Sequence, residues 1–332
     1  MKFIGREQEL KEFNNILTSP SFDFVIVYGR RRVGKTTLIS KACEGFKTIF
    51  HLATKTTEQR TLADLSDSAA EGLGSGSGLA FSSLGVFFEY IAEKAQSESL
   101  VLVIDEFPYL CESIPDAMGI FQRFIDLRFP STSLTLILAG SSVSFMEHQV
   151  LGERSPLYGR RSAQFKLQPF HVKETKALYG GNDEDSVLIQ EITGGIPLYV
   201  SYFSPSNPLR DEISRLFFRV NGLLYNEVLT LMNMEVSQPQ LYFTLLELLA
   251  QGVTKHAELA DKSGLGLTQV SYYLSILREL GIITNILPFR ENNKKRTLWV
   301  ITDGLFLFYF KHVYPYRMHI ERRQYEVVEK QL

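Results

Sequence analysis

Apolar positions recur along this chain in two rhythms. From Glu7 to Leu17, Leu10, Phe13, Ile16 and Leu17 fall on one face at helical spacing, and Ser19-Pro20 ends the pattern. Phe22 to Tyr28 is a continuous run of aromatic and β-branched residues, as expected of a strand buried on both faces of a parallel sheet. Leu100 to Ile104 and Leu134 to Ala139 predict two more strands of this kind, and Thr48 to Ala53 and Phe165 to Leu167 predict weaker ones. Helical spacing separates them at Lys35 to Ala42, Leu84 to Ala95 and Met118 to Phe129. Gly72, Gly74, Gly76 and Gly78 make Glu71 to Ala80 a flexible surface connection. Strands alternating with helices predict an α/β core, a parallel sheet flanked by helices.

After Pro169 helical periodicity dominates to about Leu249, broken by Gly194-Gly195-Ile196-Pro197 and by Ser204 to Pro208. Leu241 to Leu249, His256 to Ser263 and Leu267 to Leu280 then predict three helices, the last with Val270, Tyr273, Leu274 and Leu277 inward and Gly281 closing it. Ile282 to Leu287 and Thr297 to Ile301 predict a strand pair joined by Phe289 to Arg296. Three helices and a hairpin read as a winged helix-turn-helix.

The chemistry is concentrated where the first buried strand ends. Gly29-Arg30-Arg31-Arg32-Val33-Gly34-Lys35-Thr36 fits the phosphate-loop pattern G-x-x-x-x-G-K-S/T, with a strand before it and a helix after it. The glycines let the backbone curl so that its N–H groups face phosphate oxygens. The helix that follows brings its positive end to the same anion. Lys35 places a charge on the β- and γ-phosphates, and Thr36 offers a hydroxyl to Mg²⁺. Arg30, Arg31, Arg32 and Val33 fill the variable positions and receive no catalytic role.

Leu100 to Glu106 is an apolar strand ending in two carboxylates. In phosphate-loop proteins the strand next to the loop ends in an Asp that holds the Mg²⁺ shell. Asp105 fits that role, and Glu106 is placed to polarise the attacking water as general base. A third strand end, Gly140-Ser141-Ser142, offers a γ-phosphate sensor, Ser141 first and Ser142 second. Charge developing on the γ-phosphoryl group calls for a cation, for which Arg160 is the arginine-finger candidate and Arg161 the alternate, acting within the chain or on a neighbouring subunit.

Taken in order, these segments resemble the archaeal-type ATPase family, within the STAND class of AAA-related ATPases, over about residues 1 to 310. Phe3 to Leu10 resembles its N-terminal box, Gly29 to Thr37 its Walker A, Val101 to Glu106 its Walker B, and Leu138 to Ser142 its sensor strand end. Leu157 to Arg161 resembles its arginine motif, and Gly194 to Pro197 its lid motif. The resemblance implies that Ile4, Gly5, Arg6 and Pro197 lie on the adenine side, and that Thr37 belongs to the nucleotide site with ATP or ADP and Mg²⁺. Many relatives continue into a nuclease domain. The segments 298–303 and 305–315 resemble that junction, and the remaining length leaves no room for a full nuclease core.

The expected organisation is a P-loop ATPase core at 1–170, a helical lid at 171–236, a winged helix-turn-helix at 237–303 and a C-terminal extension at 304–332. Net charge is −2, so no global basic field draws nucleic acid. DNA would need Thr268, Gln269 and Tyr272 on the third helix, with Lys294, Lys295 and Arg296 on phosphates. That helix carries only Arg278 as a cation, which leaves DNA and a protein partner as competing occupants. Cys43 and Cys111 form neither a zinc motif nor a disulfide framework. No apolar run spans a bilayer and the first residues carry no leader, so a cytoplasmic protein is expected. The leading expectation is a slow ATP-hydrolysing switch, alone or as a homo-oligomer. The alternatives are a DNA-binding regulator, or an interaction scaffold, in which nucleotide is structural.

Overall fold

The structure is a computed structural model that describes residues 3–76, 78–287 and 297–330. Two compact units divide the chain between Gln168 and Pro169, with Ile4 grouped to the second and Gly5 onward to the first.

The first unit opens with helix α1 (Glu7–Leu17), followed by β1 (Asp23–Tyr28), α2 (Lys35–Ala42), β2 (Thr48–Leu52), α3 (Glu58–Leu73) and α4 (Leu84–Ser97). Then come β3 (Leu100–Asp105), α5 (Phe107–Ser113), α6 (Ala117–Leu127), β4 (Leu134–Gly140), a turn of helix α7 (Val143–Phe145) and β5 (Ala163–Lys166). All strand pairs are parallel, in the order β2-β3-β4-β1-β5.

This order explains the hydrophobic pattern. The three central strands β3, β4 and β1 are buried along almost their whole length, so both faces must be apolar. The edge strands β2 and β5 alternate, because one side of each meets solvent. The order also corrects one expectation. The strand beside the phosphate-loop strand is β4, not the β3 strand that ends in Asp105. β4 sits at the centre with all seven residues buried; β3 is buried at all six of its own, so an apolar run alone does not mark which of the two lies beside β1.

One face of the sheet is packed by aromatic rings of α4, α5 and α6. Phe88 meets Phe121 at 4.6 Å and Phe107 meets Phe121 at 5.2 Å between ring centroids, both edge-on. Elsewhere Phe13 of α1 stacks on Phe165 of β5 at 4.4 Å. The glycine-rich connection is shorter than expected: α3 continues through Glu71 to Leu73, and Gly74 ends it in the left-handed conformation.

The second unit is mainly helical: α8 (Val172–Tyr179), α9 (Asp183–Thr193), α10 (Pro197–Val200), α11 (Leu209–Phe217) and α12 (Glu227–Glu235). Next are α13 (Pro239–Ala250), α14 (His256–Ser263), α15 (Leu267–Glu279) and the antiparallel pair β6 (Ile283–Ile286) and β7 (Leu298–Ile301). A bridge between Lys255 and Leu298 ties the start of α14 to the pair. This is the architecture of a winged helix-turn-helix. The expected wing residues Lys294, Lys295 and Arg296 lie outside the described residues.

The last helices are α16 (Gly304–Phe308), α17 (Arg317–Glu321) and α18 (Tyr325–Glu329). They share one apolar core with the helices before them, from Ile189 through Leu246 to Phe306, Tyr309 and Val328. A β-carbon at Gly304 would lie 1.8 Å from the Glu191 carbonyl oxygen, so glycine is what lets α16 lie against the end of α9. Glu329 accepts a hydrogen bond from Arg219 Nη2 at 3.0 Å, and the Arg219 guanidinium sits 3.9 Å over the Tyr325 ring. The chain end is thereby fastened to the region after α11. Among the described residues no helix is long and apolar enough to cross a membrane.

Candidate functional site

The site is built where β1, β3 and β4 end. β1 stops at Tyr28, and Gly29 leaves it with φ 152°, a conformation side-chain-bearing residues rarely adopt. Space demands glycine as well, since an added β-carbon would meet the Leu167 carbonyl oxygen at 2.5 Å. Two more positive-φ positions bend the loop, Arg32 at 67° and Gly34 at 96°. Gly34 caps α2 with no side-chain cap, and the first N–H groups of that helix have no acceptor within it, which leaves them available to an anion.

Lys35 is 5% exposed, and its ammonium donates to the carbonyl oxygens of Gly29 at 3.0 Å and Arg30 at 3.1 Å. Thr36 Oγ1 donates to Asp105 Oδ2 at 2.5 Å. Asp105 is 1% exposed, and its other oxygen accepts from the Glu106 amide at 2.9 Å. The Walker A hydroxyl and the β3 carboxylate thus meet directly, although β4 lies between their strands.

Glu106 turns the chain from β3 into α5 with φ 54° and ψ 46°, in the left-handed region. A non-glycine residue held there costs about 1–3 kcal/mol and persists where surrounding contacts fix it. Ser141 supplies two of those contacts, its hydroxyl at 2.7 Å and its amide at 3.3 Å, both to Glu106 Oε2. Ser142 does something different: its hydroxyl accepts from the Phe145 amide at 3.4 Å and caps the turn of α7. Arg31 reaches the same carboxylate, with Nη1 3.8 Å from Glu106 Oε1 and Nη2 donating to the Tyr109 hydroxyl at 2.8 Å. Sequence reading gave Arg31 no such place; a contact across 75 positions leaves no periodic signal.

The remaining expected residues are more dispersed. Arg160 donates from Nε and Nη2 to both oxygens of Asp126, at 2.7 and 2.8 Å. The pair holds the Asp126 carboxyl below and the Arg160 guanidinium above their ordinary values, through that hydrogen bonding. Thr37 is exposed on the first turn of α2, Val33 is buried, and Arg30 is partly exposed. Arg6 donates to Glu9 at 3.1 Å and to the Gln168 carbonyl oxygen at 2.5 Å, while Gly5 turns with φ 71°. Ile4 and Pro197 group with the second unit, where Pro197 opens α10. Among the described residues no three His, Cys, Asp or Glu side chains converge as a metal cage.

A parallel sheet that delivers a phosphate loop, a Thr–Asp contact and a glutamate to one edge defines a P-loop nucleoside triphosphatase core, here followed by a helical and winged-helix region. Residues 3–203 match the model of a family described as an ATPase domain predominantly from Archaea. This chain belongs to that family of nucleotide-binding ATPase domains. The uncharacterized protein MJECL04 of Methanocaldococcus jannaschii is 32% identical over 98% of this chain and 72% of its own length. The Walker-type ATPase PABY2304 of Pyrococcus abyssi superposes with a TM-score of 0.69 at 19% identity, over 93% of this chain and 96% of that one. The Aeropyrum pernix ORC2 protein, solved as ADPNP and ADP complexes, gives 0.64 at 14% identity, over 97% and 96%. At these identities the two structural likenesses are likenesses of fold.

Proposed function

We propose that the chain is an ATP-driven switch. ATP sits in the loop 29–36, and Lys35 turns from its two loop carbonyls to the β- and γ-phosphates. Water attacks the γ-phosphorus, Glu106 takes the water's proton, and ADP departs with the β–γ bridging oxygen. Ser141 orients Glu106 and senses the γ-phosphate.

The observation that carries this reading is the convergence of Thr36, Asp105, Glu106 and Ser141 within linked hydrogen bonds. Thr36 and Asp105 present hard oxygen donors facing each other, and among the described residues no third side chain completes a cage. That suits Mg²⁺, which keeps water and phosphate ligands rather than an all-protein shell. Held by these two residues, the ion would neutralise charge on the phosphates.

Arg160 serves as the arginine finger in this reading. Its partner Asp126 is a surface residue, and exposed ion pairs contribute only about 0–1 kcal/mol, so recruiting Arg160 is inexpensive. Ile4, Gly5, Arg6 and Pro197 take the adenine side, as the family resemblance implies, with Thr37 beside the phosphates. The lid (171–236) and winged helix (237–303) respond to nucleotide state. The apolar core they share with residues 304–328 supports their moving as one body. α15 exposes Leu267 and Tyr272 and bears Arg278 as its single cation, which supports a protein rather than DNA as the partner of that face.

Two substitutions test the assignment. Lys35→Ala should abolish ATP binding measured by calorimetry with magnesium. Glu106→Gln should retain binding and lose hydrolysis at least a hundredfold, roughly the scale of general-base contributions. Equal phosphate-release rates in both variants and the parent would reject the reading.

A further inference from the structure

We propose that Arg31 is the positioning residue for Glu106, a tie through which occupancy of the phosphate loop is reported to the general base. The inference rests on Glu106 serving as that base.

Three observations support it. First, the Glu106 backbone is held in the left-handed region and would relax without side-chain restraint. Ser141 restrains one carboxylate oxygen; Arg31, 3.8 Å away, is a cation facing the other. At that distance the contact is an ion pair rather than a hydrogen bond, so Oε1 keeps its lone pairs for water.

Second, Arg31 is itself oriented. Tyr109 stands three residues after Glu106 in the first turn of α5, and its amide donates to the Glu106 carbonyl oxygen at 2.9 Å. Its hydroxyl accepts from Arg31 Nη2 at 2.8 Å, and the guanidinium lies 6.0 Å from its ring centroid. A planar fork can engage a carboxylate and a hydroxyl at once in a fixed geometry that a lysine ammonium does not reproduce.

Third, Arg31 is part of the loop itself. The next residue, Arg32, has φ 67°, so the loop turns sharply just after Arg31. A displacement of the loop by phosphate moves Arg31, and with it the Glu106 carboxylate. Loop and base are then one mechanical unit joined by a guanidinium, alongside the direct Thr36–Asp105 bond.

The test is a double-mutant cycle in the full chain, reading kcat and KM for ATP together with ATP affinity. Arg31→Ala should lower kcat about tenfold, with KM and ATP affinity within about twofold of the parent. Arg31→Lys should recover part of the loss. Tyr109→Phe should lower kcat severalfold in the parent, yet have no further effect in the Arg31→Ala background, because the hydroxyl acts through the guanidinium. ATP binding by each variant certifies its fold. Additive losses from Arg31→Ala and Tyr109→Phe would overturn the proposal. So would a loss confined to KM, which would make Arg31 a phosphate ligand. Glu106→Gln separates this from the underlying reading: if that variant hydrolyses ATP normally, the general-base assignment falls. If it is inactive while the cycle is additive, only the role of Arg31 falls.

Discussion

Replacing Gly29 by alanine tests how the sheet seats the phosphate loop. The added β-carbon would lie 2.5 Å from the Leu167 carbonyl oxygen, about 0.9 Å inside ordinary contact. Leu167 cannot step aside freely, because its amide donates to the Tyr28 carbonyl oxygen at 2.7 Å and continues the β1–β5 pairing. Relief means peeling the end of that edge strand from β1. Losing the hydrogen bond costs about 0.5–1.5 kcal/mol. Holding alanine at φ 152° adds about 1–3 kcal/mol. We therefore expect a loss of roughly 2–4 kcal/mol in the first unit. Gly34→Ala is the matched control. It shares the positive φ, at 96°, but its β-carbon would meet nothing within 4 Å, so only strain of about 1–2 kcal/mol applies. Amide hydrogen exchange of β1 and β5 peptides, read by mass spectrometry, gives the local opening free energy. Fluorescence will not serve, because the sole tryptophan, Trp299, belongs to the second unit. Equal loss of protection in the two variants would refute the steric reasoning and leave strain as the whole effect.

Two other perturbations probe stability away from the loop. His51 is buried on β2, where desolvation pushes its pKa down to about 4 from 6.5. Unfolded, it binds a proton below about pH 6.5, whereas folded it does so only below about 4. Its contribution is therefore present above 6.5 and lost as pH falls through that window, by on the order of 3 kcal/mol. His51→Asn should flatten the urea midpoint between pH 6.5 and 4, and an unchanged acid slope would contradict the assignment. At the other end of the chain, Arg219→Ala removes both the Glu329 ion pair and the contact over Tyr325. Trypsin should then cut at Arg322 or Arg323 about tenfold faster, corresponding to about 1.4 kcal/mol of lost docking. An unaltered cleavage rate would show that the tail is held by its other contacts, the packing of Val328 and the hydrogen bonds that Arg210 and Ser214 donate to Glu329.

The sequence announced the centre of the sheet more clearly than its margins. β1, β3 and β4 are legible because burial on both faces leaves nothing but apolar residues. α3 was not, since only Leu62, Leu65 and Ala69 mark its buried face among polar neighbours. Strand order was also beyond reach. Parallel strands joined by helices can be laid down in several orders, and the run ending in Asp105 carries no mark of lying one strand away from the loop. Within the site, the phosphate loop and the Asp-Glu pair are local patterns and stand out as such. The Arg31–Glu106–Tyr109 arrangement is not local: it depends on where β3 is placed beside β4, and no spacing rule encodes that. The folding of residues 304–328 into the helical core is not legible for the same reason, because the seat of Gly304 against the end of α9 joins positions far apart in the chain.

The twisted backbone at Glu106 has a consequence for directed evolution. Glycine, asparagine or aspartate would adopt that conformation at lower cost. A library selected only for heat resistance is therefore expected to discard the glutamate, and to return robust proteins that still grip ATP but no longer turn it over. Pairing each thermal round with a phosphate-release screen would preserve it.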